Sequence, residues 1–115
     1  MIMRQYVSNI TTEGLEVTTD GDTLTISAGT ITIPGERATL QEAQTFTFVA
    51  EDAPSHVTIA FDRLGRLFVE RNIQGQERQS SAFGIMTHLV YFDLPAGEVD
   101  LSNIIINVVR GRTTN

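Results

Sequence analysis

Residues 24–36 read LTISAGTITIPGE, and this stretch decides the fold class. Apolar and polar residues alternate with a period of two, the period of a β-strand whose successive side chains point to opposite faces. Leu24, Ile26 and Ala28 share one face of the first run, and Ile31 and Ile33 share one face of the second. The parity changes from even to odd across Gly29. A flat, continuous strand would send the two sets to opposite faces. Gly29 therefore marks a bulge, a sharp bend or a change of strand between two sheets. Pro34-Gly35 ends the run as a turn.

Working outward, the same alternation recurs between Gly, Pro, Asn and Asp punctuation. Strands are expected at residues 14–18, 22–28, 30–34, 44–50, 56–62, 66–71, 86–93 and 103–110. The segment ERATLQEAQ, 36–44, reads as a loop or one helical turn, with its strand-like flanks favouring a loop or short strand. In QTFTFVA, 44–50, Phe46, Phe48 and Ala50 face one way and Thr45, Thr47 and Val49 the other. Residues 56–70, HVTIAFDRLGRLFVE, spell a hairpin. Asp62 opens the turn, and Gly65 stands where a left-handed residue is wanted, as in a type I turn closed by a Gly bulge. That register pairs Asp62 with Arg66, Phe61 with Leu67 and Ile59 with Val69. It puts these four apolar residues on one buried face with Val57, and Ala60 with Phe68 on the other.

The expected architecture is all-β: an antiparallel β-sandwich with little or no helix, a jelly-roll-like arrangement or partly closed barrel being the alternatives. Residues 1–13 read as an N-terminal arm, 14–110 as one domain and 111–115 as a frayed end. The segment 72–85 is polar and Gly-bearing, a long loop of the kind that serves contacts. The runs MTHLVYFD and IIINVV are apolar on both faces, which suits strands covered on both sides.

The chain has 115 residues and a formal net charge of −6, and its eight cations are all Arg. No basic run is present to hold a phosphate backbone, so nucleic acid is not an expected partner. There is no cysteine, which removes disulfides, thiolate catalysis and zinc–thiolate sites. The opening residues carry no apolar leader segment and no run is long enough for a membrane helix, so the expectation is a chain made in the cytoplasm, off the membrane.

No grouping of residues announces catalysis. His56 and His88, with Asp62, Asp93 or Glu51, match no metal-ligand spacing. Ser80 and Ser81 lack a nucleophile elbow. The scattered carboxylates read as solvated turn and edge residues, and the glycines stand singly rather than in a phosphate loop. The expectation is no catalytic residue, no cofactor and no metal.

The order of elements resembles the β-rich accessory domains of tailed-bacteriophage virions. The resemblance runs from about residue 22 to 109. It is carried by GTITIPG, by QTFTFVA, by the 56–70 hairpin and by LPAGEVDLS at 94–102. It implies a non-enzymatic virion component that packs in several copies on a capsid, neck or tail. Such a component stabilises the particle or offers an attachment point. It implies other virion proteins as partners, and a homo-oligomer, a trimer or larger. The short single domain favours a small stand-alone part over a complete fibre. A carbohydrate- or receptor-binding module is the alternative. Candidate interface residues are Ile2, Met3, Tyr6, Val7 and Ile10 in the arm, with Arg63, Arg66, Arg71 and Arg78 around the hairpin tip and long loop.

Overall fold

The computed structural model describes residues 2–8, 10–62, 64–76 and 85–111; for positions 2, 4–8, 85, 86, 110 and 111 the backbone alone is described. The strands are β1 (Ile2–Ser8), β2 (Thr11–Gly14), β3 (Val17–Asp20), β4 (Thr23–Ile26), β5 (Gly29–Ile33), β6 (Glu36–Leu40), β7 (Gln44–Thr47), β8 (Ser55–Asp62), β9 (Leu67–Ile73), β10 (Ile85–Leu94) and β11 (Ile105–Gly111). One 3-10 turn, Leu101–Asn103, precedes β11. A five-stranded sheet runs β1-β11-β10-β8-β9, and two three-stranded sheets run β2-β5-β6 and β3-β4-β7. One hydrophobic cluster draws on all three sheets: Val57, Ile59, Phe61, Phe92 and Ile106 meet Leu15, Leu24, Ile26, Ile31 and Phe48. Phe48 packs edge-on against Phe92 with centroids 5.5 Å apart. The expected all-β sandwich is found, and among the described strands no sheet closes into a barrel. Among the described residues no helix is long and apolar enough to cross a membrane.

The parity change at Gly29 marks a change of sheet. β4 belongs to one three-stranded sheet and β5 to the other. Their partners β3 and β2 change sheet at the same level, so a two-strand ribbon bends as a unit. At the bend the Leu15 N–H donates to the Ala28 carbonyl at 3.2 Å, and the Ser27 N–H donates to the Glu16 carbonyl at 2.9 Å. The Ser27 hydroxyl accepts from the Glu16 N–H at 2.8 Å. Gly14 and Gly29 stand opposite each other in the ladder. A Cβ on Gly29 would lie 2.2 Å from the Glu13 carbonyl oxygen, so only glycine allows this approach. Leu15 takes φ +54° and is 1% exposed. A left-handed leucine costs about 1–2 kcal/mol, and burying its side chain contributes about 2 kcal/mol in the other direction. The expected strand at 14–18 therefore straddles a kink: core burial overrides local backbone preference there.

The 56–70 hairpin has the expected register, with Phe61 opposite Leu67, Ile59 opposite Val69 and Ala60 opposite Phe68. The Asp62 N–H donates to the Arg66 carbonyl at 2.8 Å, and Gly65 has φ +82°. One part is corrected. Val57, Ile59 and Phe61 are buried, but Val69 is 39% exposed. β9 is the edge of its sheet, and the opposing layer does not cover it fully. The segment 36–44 begins with a strand, β6, joined to β5 by the Pro34-Gly35 turn.

Other expectations are corrected by long-range pairing. The segment 1–13 is not an unpaired arm. β1 lies parallel to β11, from Ile2 opposite Ile105 to Ser8 opposite Gly111, and β2 pairs with β5. This parallel pair is the exception to an otherwise antiparallel sandwich. The two-faced runs have separate causes. In β10 a register shift between His88 and Val90 inserts Leu89, so consecutive Leu89 and Val90 are both buried. In β11 Ile106 and Val108 are buried while Ile105 is 41% exposed; Val109, on the side of Ile105, is half-buried against the core. Of the expected loop, residues 72 and 73 end β9, 74–76 turn, and 77–84 lie outside the described residues, as do 112–115 of the expected frayed end.

Candidate functional site

β8 sends Val57, Ile59 and Phe61 into the core, so His56 and Thr58 stand on the outer face of the five-stranded sheet. The register places Asn72 of β9 and Asp93 of β10 on either side of His56. His56 Nδ1 lies 2.7 Å from Asp93 Oδ1, with the two side chains 48% and 85% exposed. An exposed pair of this kind contributes at most about 1 kcal/mol to stability. The Tyr91 ring leans on the imidazole at a centroid distance of 6.4 Å. Beyond β9 the chain turns back: the Gln76 N–H donates to the Ile73 carbonyl at 3.0 Å, with Gly75 at φ +85°. Glycine at that position suits a type II turn. The Gln74 N–H donates to the Pro54 carbonyl at 2.8 Å, which holds the turn beside the start of β8. Between turn and pair lies an open cleft of ≈ 400 Å³.

The cleft is lined mostly by apolar surface, with the His56 imidazole oriented through Nδ1, the Asp93 carboxylate and the residues Asn72, Gln74 and Gln76 around it; Asn72 Nδ2 donates to Glu70 Oε1 at 3.3 Å. It does not assemble a nucleophilic triad. Ser55 is buried, and its hydroxyl accepts from Arg71 Nε at 3.0 Å. His88 lies further along β10, opposite Ala60. Among the described residues no three His, Asp or Glu side chains gather as metal ligands.

The sequence-derived interface residues are placed differently. Ile2, Tyr6 and Val7 lie in β1, opposite Ile105, Val109 and Arg110. Met3 packs against the core, and Ile10 is 8% exposed within it. Arg71 ties the layers together, donating through Nη1 to the Val49 carbonyl at 2.7 Å as well as to Ser55. Arg66 donates through Nε to Asp62 Oδ2 at 2.9 Å. Arg63 and Arg78 lie outside the described residues.

Asp62 is the organiser of the hairpin tip. Its side chain is 4% exposed. Oδ1 accepts from the backbone N–H groups of Leu64 at 2.9 Å and Arg66 at 2.7 Å. Burial pushes this carboxyl up, but the Arg66 backbone and guanidinium and the Leu64 N–H outweigh it and hold it below the ordinary aspartate value. Gly65 sits against β6, where a Cβ would lie 2.3 Å from the Thr39 carbonyl oxygen. The tip is thereby anchored on the opposing layer, and it presents Leu64 78% exposed.

Asn72, Gln74 and Gln76 escaped notice as members of a polar loop. The hairpin register itself carried one signal, since it places Asn72 opposite His56. The sequence pairs Asp93 with His56 only as a candidate metal ligand; its register opposite His56 depends on irregularities in β10 that no turn residue announces.

No protein-family model and no curated protein sequence matches this chain. Its structure is similar to the crystal structure of the gene 22 product of the Bacillus subtilis SPP1 phage, with a TM-score of 0.71 and 10% sequence identity. The match covers 100% of this chain and 94% of that one. The phage resemblance carried by the strand order is thus met, at the level of the fold, by a phage protein.

Proposed function

We propose that this chain is a non-enzymatic structural component of a tailed-phage virion, packed in several copies on a capsid, neck or tail. The observation that carries this reading is the end-to-end fold similarity to a phage gene product. Two features of the surface support it. β1 ends the five-stranded sheet, so its outer side is a free edge among the described strands, of the kind that pairs with a neighbouring chain. The hairpin tip holds Leu64 and Arg66 in a fixed geometry through Asp62, so docking there loses little conformational freedom. Of the candidate interface residues, Ile2, Tyr6 and Val7 on the edge strand and Arg66 at the tip remain assigned to contacts, with Arg63 and Arg78, which lie outside the described residues. Met3, Ile10 and Arg71 have internal partners instead.

Fractionation of phage particles on a density gradient, with quantitative mass spectrometry, tests the reading. The chain is expected to co-sediment with the major capsid protein at a fixed copy ratio. Recovery in the soluble fraction alone would overturn it. Light scattering of the purified chain is expected to give a trimer or larger. A monomer at all concentrations would remove self-assembly from the proposal.

A further inference from the structure

The cleft between the 73–76 turn and the His56–Asp93 pair is not among the surfaces assigned to packing. We infer that it is a binding site for a neutral, hydroxyl-rich ligand, a glycan. With Nδ1 engaged by Asp93 at 2.7 Å, the imidazole nitrogen left for a ligand is Nε2. In the neutral ring that Nδ1 donates, so Nε2 accepts. Asp93, 85% exposed, keeps acceptor capacity beyond the oxygen that His56 uses. Gln74 and Gln76, whose side-chain amides carry donors and an acceptor, stand in a lining that is otherwise mostly apolar. Hydroxyl groups both donate and accept, and this mixed set suits them. Pro54 and Ile73 add apolar lining for the C–H face of a sugar ring.

Other ligand classes fit less well. Anions are disfavoured because among the described residues no Arg lines the cleft and an exposed carboxylate does; nearby Arg71 directs Nε to Ser55 and Nη1 to Val49. A metal ion would need a third His, Asp or Glu, which the described residues do not supply. The volume of ≈ 400 Å³ falls within the usual span of small-ligand sites, about 300–1,000 Å³. An open, shallow site binds one sugar weakly, and copies arrayed on a surface raise the effective strength. The inference stands apart from the virion reading, because sugar binding by the purified chain and co-sedimentation with particles succeed or fail separately.

The test is a titration of the ¹⁵N-labelled full chain, followed by amide and imidazole resonances. The probes are glucose, galactose, N-acetylglucosamine and rhamnose as methyl glycosides and disaccharides, with sulfate and zinc chloride as comparators. At least one sugar is expected to shift Asn72, Gln74, Gln76 and His56 saturably. Asp93→Ala, at an exposed position that leaves the fold intact, is expected to weaken that sugar by about ten-fold, the loss of one charge-assisted hydrogen bond. Gln74→Ala is expected to weaken it as well. The inference is overturned if no sugar gives saturable shifts, or if the shifts lie elsewhere on the molecule. It is equally overturned if Asp93→Ala leaves affinity unchanged, or if sulfate or zinc occupies these residues more tightly than every sugar.

Discussion

Replacing Gly29 by alanine tests the account of the sheet-to-sheet bend most directly. Gly29 does not have a positive φ, so alanine there meets no backbone penalty of the left-handed kind. The obstacle is space. A Cβ would lie 2.2 Å from the Glu13 carbonyl oxygen, 2.5 Å from the Leu15 nitrogen and 2.9 Å from Leu15 Cγ. Two of these three are backbone atoms of the paired strand, and the nearest falls more than 1 Å short of ordinary contact. The ribbon must open at the level where both strands change sheet. Overpacking of this kind costs about 1–3 kcal/mol, and Leu15, displaced from full burial, gives up part of the roughly 2 kcal/mol its side chain contributes. The expected loss is about 3 kcal/mol, or roughly 12 °C in Tm for a domain of this size. Gly35→Ala is the control. Gly35 has φ +81° with nothing within 4 Å of its would-be Cβ, so its cost is the left-handed backbone alone, about 1–2 kcal/mol. Thermal and urea melts followed by circular dichroism measure both. The reasoning is refuted if Gly29→Ala melts like the parent, or if Gly35→Ala is the more damaging of the two.

Two further outcomes follow from the internal ties. The folded carboxyl of Asp62 is held below the ordinary aspartate value of about 3.9. Its stabilisation is therefore complete above that value and is lost as pH falls through the lower folded value. Asp62→Asn should be less stable at neutral pH by about 1–3 kcal/mol, and urea melts should show the gap narrowing in acid; a gap that does not change with pH would contradict the assignment. Arg71→Ala strips the buried Ser55 hydroxyl and the Val49 carbonyl of a donor, with an expected cost of about 1–3 kcal/mol. Arg71→Lys should recover only part of it, because an ammonium lacks the guanidinium fork that reaches both acceptors. Full recovery by lysine in urea melts would show that charge alone mattered.

Local sequence sets what neighbouring residues can decide. Alternation named strands β4, β5, β7, β8 and β9, because a period of two is a property of each segment alone. Asp62 and Gly65 set the β8–β9 register, since turn chemistry aligns the strands it joins. Gly29 announced a break, a bulge, a bend or a change of sheet, through a parity that no flat strand sustains, and the sheet order shows it to be a change of sheet. Tertiary structure decided what depends on distant partners. No turn joins β1 to β11, whose paired residues stand about a hundred positions apart, so nothing local announced the parallel edge. The left-handed Leu15 follows from the core space it fills. The irregular register of β10 follows from burying both Leu89 and Val90. The cleft has the same origin. His56 and Asn72 come together through a register that the hairpin makes legible, whereas Asp93 reaches them only once β10 has found its place beside β8. Local chemistry chooses conformations and turns, and burial chooses among the long-range pairings they leave open.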